Sequence, residues 1–199
     1  MRFKMSRRGF LKLVLSSAII ALIGRGLWFS SSRKVLRPPG AVVEDKFLRL
    51  CIRCGRCIDA CKEHGSGTLE YATIADGIKV QGTPKVNPLK APCEAIGGRC
   101  EGLLPCVKAC PTGALRFVRK EDIKLGSIVW DGRYCIAYQG GECFVCVEVC
   151  PTGAAVRRGR RPVFIDSLCV GCGRCVYACP AIPKALKLVP RGEKRVEDC

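Results

Sequence analysis

Histidine is almost missing from this 199-residue chain, where His64 is the only one. That removes the side chain most often used as a general base near neutral pH. No nucleophile–base pair and no phosphate-cradling glycine loop makes up for it, and no haem, flavin or quinone-site signature is present. Catalysis by the chain alone is therefore not expected, and site residues of a catalytic kind are none. His64 sits in the Gly/Ser loop from Lys62 to Gly67 and reads as a surface residue rather than a ligand. Aromatic residues make up only 7%, so a conventional apolar core is thin. Long hydrophobic runs are lacking too, since the stretch from Leu13 to Gly24 falls short of the roughly 20 residues of a bilayer span.

What the chain holds in their place is cysteine, 17 of them. Sixteen fall into four groups of four: Cys51, Cys54, Cys57 and Cys61; Cys93, Cys100, Cys106 and Cys110; Cys135, Cys143, Cys146 and Cys150; Cys169, Cys172, Cys175 and Cys179. The first and last read C-x2-C-x2-C-x3-C, and three of the four groups end in Cys-Pro. In the bacterial ferredoxin run of this form, three thiolates hold one [4Fe–4S] cluster and the fourth holds a neighbouring one. A short loop with a cysteine at every third residue wraps a cubane and supplies three corners. The x3 step then begins a helical turn that aims the last cysteine elsewhere. Pro111, Pro151 and Pro180 follow that cysteine and redirect the chain, and Gly55, Gly171 and Gly173 suit backbone passing close to a cluster.

Two other readings of the cysteines are weaker. Structural zinc is bound by two separated ligand pairs, not by a triplet plus one. Disulfides suit an exported chain, but C-x2-C pairs are poorly placed to bridge distant parts of a fold. The middle groups are stretched, to C-x6-C-x5-C-x3-C and C-x7-C-x2-C-x3-C, and an insertion between ligands is a loop that a cluster tolerates. Four [4Fe–4S] clusters on sixteen cysteines are thus expected, with Cys199 left as a free terminal thiol. With so thin a core the clusters must act as staples, and without them the chain is not expected to fold.

The N-terminus carries a second pattern. Ser6-Arg7-Arg8-Gly9-Phe10-Leu11-Lys12 matches the twin-arginine export signal, and an apolar stretch follows it. That route carries proteins already folded, which suits an iron–sulfur protein. There is no A-x-A cleavage site, and Ser30 to Ser32 offers only small residues before Arg33. The apolar stretch extends to Phe29 if Arg25 is tolerated. An arginine at the bilayer centre costs roughly 2.5–3.5 kcal/mol, but Arg25 near the end can snorkel. The expectation is an exported protein, periplasmic or on the outer face of the cytoplasmic membrane, with an uncleaved anchor as one form.

The formal charge of +17 suggests nucleic acid at first sight. Residues 1–40 carry nine basic and no acidic residues, and residues 41–199 carry 25 basic and 17 acidic, leaving +8. Four oxidised clusters with their thiolates bring about −8 and offset it. Arg53, Arg56, Lys108 and Arg174, beside the ligands, read as that compensation, and a nucleic-acid partner is not expected. Arg157-Arg158-Gly159-Arg160-Arg161 reads as a solvated hairpin tip, or as a docking patch for an acidic partner or an anionic membrane surface.

The chain divides into a targeting segment or anchor helix (1–34), a linker (35–46, with Pro38-Pro39) and a cluster domain (47–199) of α+β, ferredoxin-like, loop-rich repeats. Short strands are expected at Ala114–Val118, Ala154–Val156, Val163–Asp166 and Leu186–Val189, with Gly159 as a hairpin turn. Short helices are expected after the fourth cysteine of a motif or between repeats. The motifs can pair sequentially or nested. The shared tight spacing of the outer two favours nesting, with an outer module of 47–62 plus 163–190 and an inner module of 90–156.

Pro92-Cys93, the run from Pro105-Cys106 to Cys110-Pro111-Thr112-Gly113-Ala114-Leu115, the Cys135–Gly140 segment with Cys143, Cys146 and Cys150, Gly82-Thr83-Pro84 and the twin-arginine leader together resemble the NapG/MauM group of ferredoxin-type proteins. The likeness covers almost the whole chain. It departs at Lys62, where a proline is expected after Cys61, and in the longer second motif. The resemblance implies nested pairing, in which Cys51, Cys54, Cys57 and Cys179 hold one cluster and Cys169, Cys172, Cys175 and Cys61 the next. Cys93, Cys100, Cys106 and Cys150 would hold the third, and Cys135, Cys143, Cys146 and Cys110 the fourth. It also implies a non-catalytic electron-transfer subunit, which passes electrons from a polytopic quinol-oxidising membrane protein to an exported reductase or dehydrogenase. The alternatives are a maturation factor for an exported redox enzyme such as methylamine dehydrogenase, and the iron–sulfur subunit of a molybdopterin oxidoreductase.

Overall fold

The computed structural model describes Arg8, Val14, Ser16, Ser17 and residues 34–197. Arg8, Val14, Ser16 and Ser17 are helical. Apart from these four, the twin-arginine motif and the apolar stretch after it lie outside the described residues, as does Cys199. Among the described residues no helix is long and apolar enough to cross a membrane. The chain divides into two units, Met1–Arg33 and Lys34–Cys199.

The expected linker is a correction. Residues 35–42 are buried throughout, because a fold poor in aromatics draws Val35, Leu36 and Val42 into its core. Arg37 is buried there as well, with its guanidinium 4.4 Å from the Phe47 ring centre. Its Nε donates to Glu44 at 3.0 Å and its Nη1 to Thr83 Oγ1 at 2.7 Å. Helix α1 (Glu44–Leu50) then begins, with Glu44 and Asp45 in its first turn and Phe47 buried. Acidic residues at that end complement the helix dipole.

Four further helices carry cysteines: α2 (Arg56–His64), α3 (Pro105–Lys108), α4 (Val145–Glu148) and α5 (Arg174–Ala178). α3, α4 and α5 contain the third cysteine of a motif and stop short of the fourth, rather than following it, and α2 contains both; short 3-10 turns such as Ile74–Asp76 and Lys120–Asp122 lie between motifs, as expected. Their lengths have a local cause. A proline disfavours helical backbone in the residue before it, and Pro111, Pro151 and Pro180 stand just past α3, α4 and α5. Those helices run four, four and five residues. Lys62 stands where the proline would be after Cys61, and α2 runs on to nine residues.

The strands form three two-stranded antiparallel sheets among the described residues. β1 (Leu69–Tyr71) pairs with β2 (Pro84–Val86), Leu69 opposite Val86. β3 (Ser127–Trp130) pairs with β6 (Leu186–Val189), Trp130 opposite Leu186. β4 (Ala155–Arg158) and β5 (Arg161–Phe164) form the expected hairpin, with Gly159 at φ +60° in its turn. Ala114–Val118 makes only an isolated bridge, Leu115 to Ala41. It spends its hydrogen bonds on the buried strap of residues 35–42 instead, since Val42 N–H donates to Ala114 O and Arg116 N–H to Gly40 O. Val196 bridges Val42 in parallel, so both ends of this unit meet on the strap.

Candidate iron–sulfur sites

The four helices place their cysteines around four cavities, each with about 330–380 Å³ of empty space, mouth included. Site I is lined by Cys51, Cys54, Cys57 and Cys110. Site II is lined by Cys61, Cys93, Cys100 and Cys106. Site III is lined by Cys135, Cys143, Cys146 and Cys179, and site IV by Cys150, Cys169, Cys172 and Cys175. Every one of the sixteen cysteines takes part.

The nested grouping is thereby corrected. Cys110, not Cys179, completes the first triplet, and Cys61 joins the second motif, not the fourth. The reason lies in helix geometry. Cys57 and Cys61 are about one turn apart on α2 and reach two adjacent cavities. Helix α3 packs against α2 and returns Cys106 to site II and Cys110 to site I. Helices α4 and α5 repeat this with Cys146 and Cys150, Cys175 and Cys179. The alike spacing of the two outer motifs reflects alike loops, not a shared module.

Those loops turn on glycine. Gly55 and Gly173 cap α2 and α5 in left-handed backbone, at φ +79° and +76°. A Cβ on Gly173 would also stand 2.6 Å from Pro88 Cβ. Gly65 serves differently, by making room for sulfur. A Cβ there would lie 2.8 Å from Cys100 Sγ and 3.7 Å from Cys61 Sγ. The long second motif thus still delivers Cys100 to site II.

Charge is the dominant problem of these sites. Burial, with the thiols of Cys51, Cys110 and Cys54 adding to it, pushes the Cys57 thiol up to about 12. Burial likewise takes Cys93 to about 12, with Cys61, Cys172 and Cys100 contributing. Cys100 and Cys146 rise to about 11, from burial and then from Cys61 and Cys135 respectively. Burial raises Cys106 and Cys175 as well. A bare thiolate is penalised here, so a quartet of thiolates requires a cationic group between them.

Two cysteines differ. Burial opposes the charged form of Cys110 too, but the amides of Leu115, Thr112 and Ala114 and the Thr112 hydroxyl outweigh it and hold the thiol below its usual range. Cys150 is held down in the same way by Ala155, Thr152 and Ala154. The Thr112 and Thr152 hydroxyl oxygens each lie 3.7 Å from the sulfur. Both stand in the repeated sequence Cys-Pro-Thr-Gly-Ala, at 110–114 and 150–154. Among the basic residues read as compensation, Arg53 lines site I and Arg174 lines site IV, whereas Arg56 and Lys108 are exposed and line none of the four.

The donor set fits an iron–sulfur cluster. The sixteen cysteines are free of disulfides. Among the described residues no group of three His, Cys, Asp or Glu is spaced to hold a single metal ion. Four thiolates on one zinc would converge to Zn–S distances of about 2.3 Å, but these stand around the cavity walls. Trp130, on the wall of site III, has its indole N–H buried without an acceptor. Such a group costs about 1–3 kcal/mol if left unpaired. Trp130 and Gly65 escaped the sequence reading, because neither belongs to a cysteine motif. The repeated Cys-Pro-Thr-Gly-Ala was a visible signal for the amide cradles. His64 has an exposed side chain beside Glu63, and only its backbone carbonyl serves a site, lying 3.8 Å from Cys100 Sγ as acceptor.

Residues 49–68 match the 4Fe-4S binding domain and residues 141–182 the 4Fe-4S dicluster domain. The second match falls within the half of the chain that forms sites III and IV. Cavities and matches together define the class, a ferredoxin-type iron–sulfur electron-transfer protein that binds [4Fe–4S] clusters. The ferredoxin-type protein NapG of Escherichia coli (strain K12) is 34% identical over 92% of this chain and 85% of its own length. The methylamine utilization ferredoxin-type protein MauM of Paracoccus denitrificans (strain Pd 1222) is 36% identical over 79% of this chain and 72% of its own. MauM of Methylophilus methylotrophus is 34% identical over 96% and 87%. The chain belongs to the NapG/MauM family of ferredoxin-type proteins.

Gly65 offers a test of this site. Gly65→Ala should drive Cys100 off its position and lower the iron bound per chain, measured by metal analysis of the anaerobically purified protein. Unchanged iron content would show that site II does not depend on that close approach.

Proposed function

We propose that this chain carries four [4Fe–4S] clusters, one in each of sites I to IV, and relays electrons outside the cytoplasmic membrane. The observation that carries this reading is the division of sixteen cysteines into four cavities of four. Each cavity draws three thiolates from one motif and the fourth from its neighbour, as ferredoxin modules do. A cluster bound there supplies one-electron redox chemistry. The chain supplies the rest: thiolates that hold it, Arg53 and Arg174 that offset its negative charge, amides at Cys110 and Cys150 that donate to sulfur, and burial that excludes water.

The electron source is a polytopic membrane protein that oxidises quinol to quinone, releasing two protons and two electrons. The acceptor is an exported reductase. The chain has no quinone-site, haem or flavin signature of its own, which is why a separate donor is required. The twin-arginine motif at Ser6–Lys12 supports export of the folded, loaded protein, with the apolar stretch after it as an anchor. The exposed arginines of the β4–β5 hairpin are suited to an acidic partner or an anionic membrane surface. A second reading is favoured by the MauM relatives, whose name ties them to methylamine utilization: a maturation factor that reduces or assembles an exported enzyme.

The full chain, purified without oxygen, should hold about 16 iron and 16 sulfide; stoichiometric zinc in their place would overturn the reading. Quinol alone should leave it oxidised, and quinol with membranes containing its partner should reduce it. A deletion strain that keeps respiration through every exported reductase, yet accumulates a client enzyme without its cofactor, would favour maturation.

Export has its own test. Changing Arg7 and Arg8 together to lysine should leave folded protein in the cytoplasm, seen by cell fractionation, and normal export would refute the signal.

Trp130 gives a third. Trp130 lines site III and its indole N–H lacks an acceptor, so we take it as a donor to cluster sulfur, a contact that raises a cluster's reduction potential. Trp130→Phe keeps the ring and deletes the donor. The midpoint of one cluster should fall by about 59 mV, the one-electron equivalent of a tenfold change, with the other three unmoved in a redox titration.

A further inference from the structure

We infer that the four sites form a single file in the order I–II–IV–III, which is not their order along the chain, and that electrons enter and leave at sites I and III. This rests on the four-cluster reading.

The adjacency of I with II, and of III with IV, follows from the helices. Cys57 and Cys61 on α2 serve I and II, and Cys106 in α3 and Cys110 just beyond it serve II and I. Cys146 in α4 serves III and Cys150 serves IV, while Cys175 in α5 serves IV and Cys179 serves III. Each pair of sites is therefore bridged twice, each time by two cysteines four residues apart in a short helix or just past its end.

Sites I and II make one module and sites III and IV a second, and the joint between these two decides the rest. Cys93 of site II donates its backbone N–H to the carbonyl of Cys172 of site IV at 2.7 Å. Arg174, on the wall of site IV, donates from Nη2 to Gly97 O at 2.9 Å. Gly97 lies between Cys93 and Cys100, and a Cβ on it would stand 2.9 Å from Pro151 Cβ, on another wall residue of site IV. Gly173, the cap of α5, meets Pro88 in the approach to Cys93. The second module thus presents site IV, not site III, to site II. Sites I and III are left as the ends. At site I the rim holds Cys54, the one cysteine that is exposed among those described, with Ile52 and Tyr71 also exposed. At site III the rim holds the exposed Ile136, and Tyr138 stacks edge-on against Trp130 at 5.3 Å.

Transfer along this file needs no bond to form or break. At each step one site loses an electron and the next gains it, and no proton moves between them.

The order is testable without any activity measurement. Reduced neighbouring clusters broaden each other's paramagnetic resonance signals and speed their relaxation. Site IV is emptied in the full chain by Cys169→Ala with Cys172→Ala, and site III by Cys143→Ala with Cys146→Ala. Signals are assigned by difference between variants, and iron is counted in each. The proposed order requires that emptying site IV uncouples both the site II and the site III signals. Emptying site III must relieve site IV alone and leave I, II and IV coupled to one another. If emptying site III uncouples II from IV, the file follows the sequence and the proposal is overturned. Should the site IV variant lose more iron than one cluster holds, the site III variant alone decides, since persistence or loss of the II–IV coupling is read directly in it. An unmodified chain with too little iron for four clusters fails the four-cluster reading itself, a different outcome from full iron with the wrong coupling.

Discussion

Everything in this fold turns on the cost of burying thiolates, to which the closeness of their neighbours adds. Four sulfurs around one cavity, shielded from water, favour the neutral form, and burial pushes Cys57 and Cys93 up to about 12 and Cys100 and Cys146 up to about 11. A protein that gathers such quartets needs a positive centre among them. A metal–sulfide core provides it and ties together segments that little else holds. Two-stranded sheets are marginal by themselves, and aromatic residues are few. Folding and cofactor binding are for that reason expected to be one process.

The economy of the arrangement comes from short helices that serve two sites at once. A short helix and the residues just past it carry a cysteine to each of two neighbouring cavities, so a pair of packed helices links two quartets. Proline after the fourth cysteine stops the helix before it spoils that geometry. At Lys62 the stop is missing, and α2 continues to Gly65, where the lack of a side chain admits Cys100. The longer second motif and the missing proline are thus two sides of one local solution. The buried strap 35–42 and Val196 then draw both ends of the cluster domain together, work that larger apolar side chains would do in a core of ordinary composition.

The electrostatic roles of residues near the clusters separate in the same way. Arg53 and Arg174 each precede a ligand position and line a cavity, whereas Arg56, which also precedes one, and Lys108 line none. Proximity along the chain is a poor guide to proximity in space on a helix, where one step of sequence turns a side chain by about 100°. The two Cys-Pro-Thr-Gly-Ala turns are a firmer local signal, because a tight turn after the cysteine aims successive amides back at its sulfur whatever the surroundings.

The sequence by itself determined which sixteen cysteines gather around cavities, the class and the β4–β5 hairpin. Cysteine spacing and turn residues act over a few residues, and local geometry alone interprets them. It also carried the likeness that the relatives bear out across most of the chain. Tertiary structure decided which thiolates share a cavity, because spacing constrains only the three cysteines of one loop and says nothing of the distant fourth. It likewise decided that the proline-bearing strap is core rather than linker, since burial depends on what else is available to fill the interior. The placing of Trp130 on the wall of site III and the meeting of Cys93 with Cys172 were decided there too. Cys93 and Cys172 stand far apart in the chain, and nothing in the intervening sequence records that they touch.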